Sequence, residues 1–283
     1  MTAREITTTD SAAQGRDLVE RVRQASRAAD GHDPLDEQAA LLLKHRGLAA
    51  ARMWVTGNGF ALVHEGALDL AVAPEARGRG EGATLAAAVA DSGADVRTAW
   101  SHGDDPAARA IAARHGFAAT RELWVMRRPV TEPLPPLESD VAIRGYRPAD
   151  EADLLRVNAA AFAHHPEQGS MDAAGLAERM AEPWFDPAGL LVAHDGERML
   201  GFHWTKQHDA DLGEVYVVAI APEAQGAGLG RMLTLAGLHH LAGHGVREVL
   251  LYVESDNHPA RKVYERLGFT HAASDTHVQF TRS

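Results

Sequence analysis

Between Leu212 and Arg231 the hydrophobic pattern changes period. Glu214 to Ile220 is a run of β-branched, aromatic and small apolar residues, Pro222 closes it, Gln225-Gly226-Ala227-Gly228-Leu229-Gly230 follows, and apolar positions then recur at helical spacing from Arg231 to Leu238. This predicts strand, turn and helix, because proline offers no N–H to a sheet ladder and glycine lets the backbone turn tightly. Unpaired N–H groups at a helix start attract anions, which makes the turn a candidate pyrophosphate cradle, although the same turn also serves as a bare connection.

The rest of the chain alternates in the same way. Upstream, the pattern predicts helices over 11–30 and 35–45, the second with Asp33 as N-cap and Pro34 in its first turn. Strands over 53–55 and 60–64 flank Gly57-Asn58-Gly59, a hairpin signal. A strand over 68–72, a glycine-rich turn at 74–82, helices over 83–92 and 106–115, and strands over 96–100 and 123–126 complete the first series. The second series has strands over 141–146, 189–194, 199–205, 246–253 and 276–280, helices over 149–162, 171–181 and 259–267, and an irregular loop from His164 to Gly169. Between the series, residues 129–140 hold four prolines and three acids, a stiff solvated linker. The expected organisation is α/β with mixed sheets, in two domains over 1–128 and 141–283.

The two series are copies. AVAPEARGRGEG at 71–82 lies over AIAPEAQGAGLG at 219–230 with an offset of 148 and no gap. Further on, DPAARAIAARHGF at 105–117 lies over NHPARKVYERLGF at 257–269, setting Ala108 on Ala260, Gly116 on Gly268 and Phe117 on Phe269. Two blocks in the same order at near-equal spacing identify a tandem duplication.

Composition narrows the chemistry. The chain has 283 residues and no cysteine, which excludes disulfides, thiolate zinc sites and a cysteine nucleophile. A net charge of −11 argues against nucleic acid or an anionic membrane as partner and suits a small cationic substrate. The N-terminus lacks the apolar core of a signal peptide, and no run approaches the roughly 18 apolar residues of a membrane helix, so a cytoplasmic monomer is expected. His240 and His244 stand four apart on a helix, but no glutamate completes a metalloprotease pattern and no metal site is expected.

Arg77 or Gln225, two residues, a glycine, one residue and a second glycine resemble the acyl-CoA signature of the GNAT superfamily of N-acetyltransferases. The block Asn257, Ala260, Tyr264, Leu267-Gly268-Phe269 is similar to that superfamily's other recurrent element. Within it, HHPEQG, EPWFDP, HWTK, GEVYVVAIAPEAQGAGLG and LYVESDN resemble the mycothiol synthase family over most of residues 141–283, while the first half matches mainly through its glycine turn.

The resemblance implies direct transfer of the acetyl group of acetyl-CoA to an amine. It implies donor contacts from Val218, Ala219 and Ile220, from Gln225, Gly226, Ala227, Gly228, Leu229, Gly230 and Arg231, and from Asn257, His258, Pro259, Ala260, Arg261 and Lys262. The matching positions of the first half are Ala71, Val72, Ala73, Arg79, Gly80, Glu81, Gly82, Ala83 and Thr84, where a second acetyl-CoA could be held. Transfer needs a neutral amine and a donor for the departing thiolate. Glu214 is the candidate base, costly in an apolar strand unless it works there, though a strand-end carboxylate in solvent would read the same way. Tyr264 is the candidate acid, set on the helix that in the family faces the thioester; a half-buried helix aromatic is the plain alternative. Neither survives in the first half, where the gap-free overlay sets Gly66 and Ala112 at those positions, so the second domain is expected to catalyse.

The acceptor implied by the mycothiol synthase resemblance is cysteinyl-glucosaminyl-inositol, with Glu37, Glu167, Lys206, Glu214 and Tyr252 as its binding residues. Two other functions stay open on sequence: a tandem acetyltransferase for another amine, such as an aminoglycoside or a protein N-terminus, and a non-catalytic acyl-CoA-binding module.

Overall fold

The computed structural model describes residues 2–6, 9–131, 133–164 and 166–282, without the side chains of 9–12, 49, 50, 166 and 167. The chain divides into two compact units, one of residues 1–124 with 272–283 and one of residues 125–271. These limits differ from a cut at the proline-rich segment, because strand pairing places the last strand with the first unit, and pairing over such separations leaves no local mark in composition.

The first unit contains β1 (Arg4–Glu5), α1 (Thr9–Asp30), α2 (Glu37–His45), β2 (Arg52–Val55), β3 (Gly59–His64), β4 (Ala67–Val72), α3 (Glu81–Asp91), β5 (Thr98–Ser101), α4 (Pro106–Arg114) and the start of β6 (Phe117–Pro129). The later part of β12 (Thr270–Arg282) joins it, and the strand order is β1-β2-β3-β4-β5-β12-β6. Strand β3 is buried on both faces, which is why it reads as a continuous apolar run rather than an alternation. Met53, Phe60 and Leu62 meet Leu18, Val22 and Leu43 on one side, while Trp54, Ala61 and Val63 meet Leu85 and Val89 of α3 on the other. Helix α2 starts later than expected. Its N-cap is Asp36, which accepts from Ala39 N–H at 2.7 Å, because the Asp33 carboxylate is taken by Arg23, Arg27 and the Leu35 N–H.

The second unit contains the end of β6, then β7 (Ala142–Gly145), α5 (Glu151–Ala161), α6 (Pro166–Gly169), α7 (Ala173–Met180), β8 (Leu190–His194), β9 (Met199–Gln207), β10 (Leu212–Ile220), α8 (Leu229–Gly243), β11 (Glu248–Glu254) and α9 (His258–Arg266). Its strand order is β6-β11-β10-β9-β8-β7. The expected irregular loop at 164–169 holds the one-turn helix α6. Strands β6 and β12 run well beyond 123–126 and 276–280, since their polar outer stretches carry no apolar alternation and are ordered by pairing.

The duplication is visible in backbone contacts. A Cβ on Gly59 would stand 2.8 Å from the Ala71 carbonyl oxygen, and one on Gly201 would stand 2.7 Å from that of Ala219. Ala73 N–H donates to Asn58 O at 2.8 Å as Ala221 N–H does to Leu200 O at 2.9 Å. Both sets follow from the same close crossing of two antiparallel strands at the entry to the glycine turn.

Helix α8 crosses β9 over a buried histidine. His203 is fully enclosed, its Nδ1–H donates to Leu233 O at 2.8 Å, and burial pushes its pKa down to about 4. Gly237 makes room for the ring: a Cβ there would lie 2.0 Å from His203 Cε1. Alanine normally stabilises a helix by up to about 1 kcal/mol over glycine. Here overpacking reverses the sign, and Gly237→Ala is expected to cost about 1–3 kcal/mol, read as a lowered Tm in calorimetry. His203 binds its proton less tightly folded than unfolded. Its contribution is therefore complete above about pH 6.5 and is lost as the pH falls toward 4. His203→Asn, which keeps a donor for Leu233 O, is expected to show a shallower loss of urea midpoint over that interval.

Candidate active site

Strand β10 carries one residue more than its neighbour. Its antiparallel ladder to β9 pairs Val215 with Thr205 and then Val217 with Trp204, leaving Tyr216 as a bulge. On the other edge the parallel ladder to β11 joins residues 212–215 to 248–251, and among the described residues no pair follows. Beyond the bulge, Val218 and Ile220 therefore turn their peptide edge toward β11 across an open wedge, while the Ala219 carbonyl faces Gly201 of β9.

Glu214 sits just before the bulge. It is buried, with 5% exposure, not solvated at a strand end. A carboxylate only accepts, so the 2.6 Å contact to His208 is a donation from Nε2–H to Oε2. His208 lies in the β9–β10 hairpin with a third of its side chain exposed, and thus links the buried carboxylate to solvent. Nothing in the polar stretch QHDADLG marks it in the sequence, because the contact depends on the hairpin's register. Lys206, the cross-strand partner of Glu214, places Nζ 4.8 Å from the Trp184 ring centre and 5.2 Å from that of Tyr216. Tyr216 accepts from Arg179 Nε at 3.0 Å and packs edge-on against Trp204 and Trp184.

The glycine turn follows a short 3-10 turn at Pro222–Ala224. Gly226 and Gly228 have φ of 83° and 81°, the left-handed region, and a Cβ on either would meet open space. Glycine is needed here for backbone conformation, and the space above the turn is free for an anion beside the N-terminus of α8. Gln225 folds back to Ile220 O, as Arg77 does to Val72 O in the first unit. There Gly78 and Gly80 have φ of 72° and 85°, and Thr84 Oγ1 donates to Gly80 O. One difference stands out: Glu81 occupies the position of Leu229, and its buried carboxylate accepts from Thr56 and Asn58. Burial would raise its pKa, but these hydrogen bonds outweigh it and hold the group low. The first turn of α3 thus already carries a negative charge.

Helix α9 is capped by Asn257, which accepts from Ala260 N–H, as Asp105 caps α4 by accepting from Ala107 N–H. Arg261 turns to Ser255 O at 2.7 Å, while Lys262 and Arg231 are exposed. Tyr264 is partly buried against Phe269, and burial pushes its phenol up to about 12. It therefore keeps its proton at any working pH and can donate a hydrogen bond.

The acceptor residues are distributed unevenly. Lys206 and Glu214 are neighbours, and Tyr252, 44% exposed, stands on β11 beside the wedge. Glu37 opens α2 in the first unit. The side chain of Glu167, with His165, lies outside the described residues.

In the first unit the ladder between β3 and β4 runs without a bulge. Counting along the paired strands sets Ala67, opposite His64, where Glu214 stands opposite Lys206. The gap-free overlay had set Gly66 there, and the extra residue in β10 accounts for the shift. Ala112 of α4 holds the place of Tyr264 and lines an apolar cavity of about 380 Å³ with Leu68, Ala86, Val89, Trp100 and Ile111. His64 donates to Asp69 at 3.0 Å, both enclosed, and burial with the nearby Asp36 charge pushes Asp69 up to about 6.

A sequence profile described as the acetyltransferase (GNAT) family matches residues 158–269. A mycothiol acetyltransferase of Nocardioides sp. is 57% identical, covering 96% of this chain and 99% of that protein, and one of Nocardia farcinica is 50% identical, covering 92% of each. Among solved structures, a GCN5-related N-acetyltransferase of Sphaerobacter thermophilus superposes with a TM-score of 0.69 at 22% identity, over 98% of this chain and 94% of that one. A tandem GNAT protein from the clavulanic acid pathway gives 0.68 at 18% identity, over 99% and 98%. The wedge beside β10 and the duplicated glycine turn thus belong to an N-acetyltransferase of tandem GNAT fold, and the chain is a member of the mycothiol acetyltransferase family.

Proposed function

We propose that the second domain acetylates the cysteinyl amine of cysteinyl-glucosaminyl-inositol, the last step in making mycothiol, as a cytoplasmic monomer. The reading is carried by Glu214, a buried carboxylate beside the wedge that His208, partly exposed, links to solvent. Acetyl-CoA supplies the acetyl group, activated as a thioester. The turn at Gln225–Arg231 suits its diphosphate, and the free edge of β10 its pantetheine arm.

An α-amine has a pKa near 7.7–8.0 and reaches the site largely as an ammonium. Glu214 takes its proton, directly or through one water, while the Nε2–H of His208 holds the carboxyl group in place, so the neutral amine can attack the thioester carbonyl. Backbone N–H groups at the bulge are our candidate donors to the oxyanion. Tyr264 holds its proton ready for the sulfur; the apolar surroundings that raise the phenol also raise a thiol beside it, which keeps the two near balance. Lys206, Tyr252 and Glu167 bind the hydroxyl-rich acceptor. The first domain keeps the turn and an apolar cavity without the proton-transfer groups, which suits a held acetyl-CoA that does not react.

Glu214→Gln and Tyr264→Phe are each expected to lower kcat by about a hundredfold or more with little change in KM for acetyl-CoA. A double variant with near wild-type turnover rejects the assignment. Gly228→Ala forces a left-handed alanine at a cost of about 1–2 kcal/mol and fills the cradle, so KM for acetyl-CoA is expected to rise about tenfold, whereas Gly80→Ala leaves turnover unchanged. Thiol release in the presence of cysteinyl-glucosaminyl-inositol is expected to outpace that with an aminoglycoside or a peptide N-terminus. Equal rates across that panel reject the acceptor.

A further inference from the structure

The histidine pair of α8 meets an acid that no spacing in the sequence brings near it. His240, Asp186 and His244 each offer one donor atom, and the three atoms lie within 4.8 Å of one another. Asp186 Oδ2 stands 3.1 Å from His240 Nε2. Two ligands on a tetrahedral zinc at about 2.0–2.1 Å each are separated by roughly 3.3 Å, so this pair already has the bite of a chelate.

Two of the three groups are also oriented from behind. His244 Nδ1–H donates to the His240 carbonyl at 2.8 Å, which leaves its Nε2 lone pair outward, and the two rings are 4.3 Å apart. Asp186 Oδ1 accepts from Ala188 N–H at 2.9 Å, which turns Oδ2 toward His240. A backbone partner on the far side of each outer ligand is the usual support of metal-bound histidine and carboxylate. The other His-acid group among the described residues, Asp36, His64 and Asp69, is differently placed: His64 and Asp69 are spent on each other, and Asp36 caps α2. At α8 the exposed side of His244 leaves a fourth position for water.

We propose that Asp186, His240 and His244 form a zinc site in the second domain, remote in role from acetyl transfer. Two imidazoles and one carboxylate suit Zn²⁺ over Mg²⁺ or Ca²⁺. The ion would tie the segment 182–188 to the C-terminal end of α8. That segment carries Trp184, which packs against Trp204, Tyr216 and Lys206. A metal here would brace a wall of the acceptor region without touching the reacting atoms.

The test uses the full chain, freed of metal, titrated calorimetrically with Zn²⁺ and then with Co²⁺ as a spectroscopic probe. One Zn²⁺ per chain is expected, with four-coordinate visible bands for Co²⁺ and a Tm that rises with zinc. His244→Ala at an exposed position and Asp186→Asn at a half-buried one are each expected to weaken binding at least about tenfold, while His239→Ala on the same helix leaves it unchanged. Wild type that binds no zinc, or variants that bind it as tightly as wild type, overturn the site.

Discussion

A single extra residue in β10 shapes the second half of this protein. The bulge at Tyr216 lets the strand twist out of its ladder with β11 after Val215, and the wedge that opens exposes peptide groups that would otherwise be spent on the sheet. It also sets Glu214 one position before the last pair with β11, buried but beside the opening. A carboxylate in that place costs several kcal/mol of lost hydration unless it finds a donor. His208 is that donor, supplied by the hairpin that joins β9 to β10. Bulge, wedge, acid and histidine are thus one construction.

The first unit shows what the same fold becomes without it. Its β3–β4 ladder is regular, Ala67 stands at the position of the acid, and Ala112 leaves a cavity where Tyr264 stands in the other copy. What persists is the glycine turn, because Gly78 and Gly80 are demanded by backbone conformation as much as by any ligand. Even that turn has diverged: Glu81 brings a buried carboxylate to the start of α3 and ties it to the β2–β3 hairpin.

Much of this architecture was legible in the residues. Glycines at fixed spacing after Pro74 and Pro222 identify the two turns, since few other residues adopt φ near +80°. The apolar run of β3 and the helical spacing of α8 mark buried elements. Asp33 misled as a cap because an arginine ladder from α1 claims its carboxylate, which spacing along α2 does not reveal. The outer reaches of β6 and β12 were silent because their order comes from partners distant in sequence.

The chain by itself determined the duplication, the two glycine turns and the family, because each rests on local backbone demands or on residue identity in register. Only the tertiary structure decided that Glu214 is buried, that His208 is its partner, that Ala67 rather than Gly66 is its counterpart, and that Asp186 meets the α8 histidines. All four depend on strand register and on loops closing over helices, where one residue of slippage turns a side chain to the opposite face.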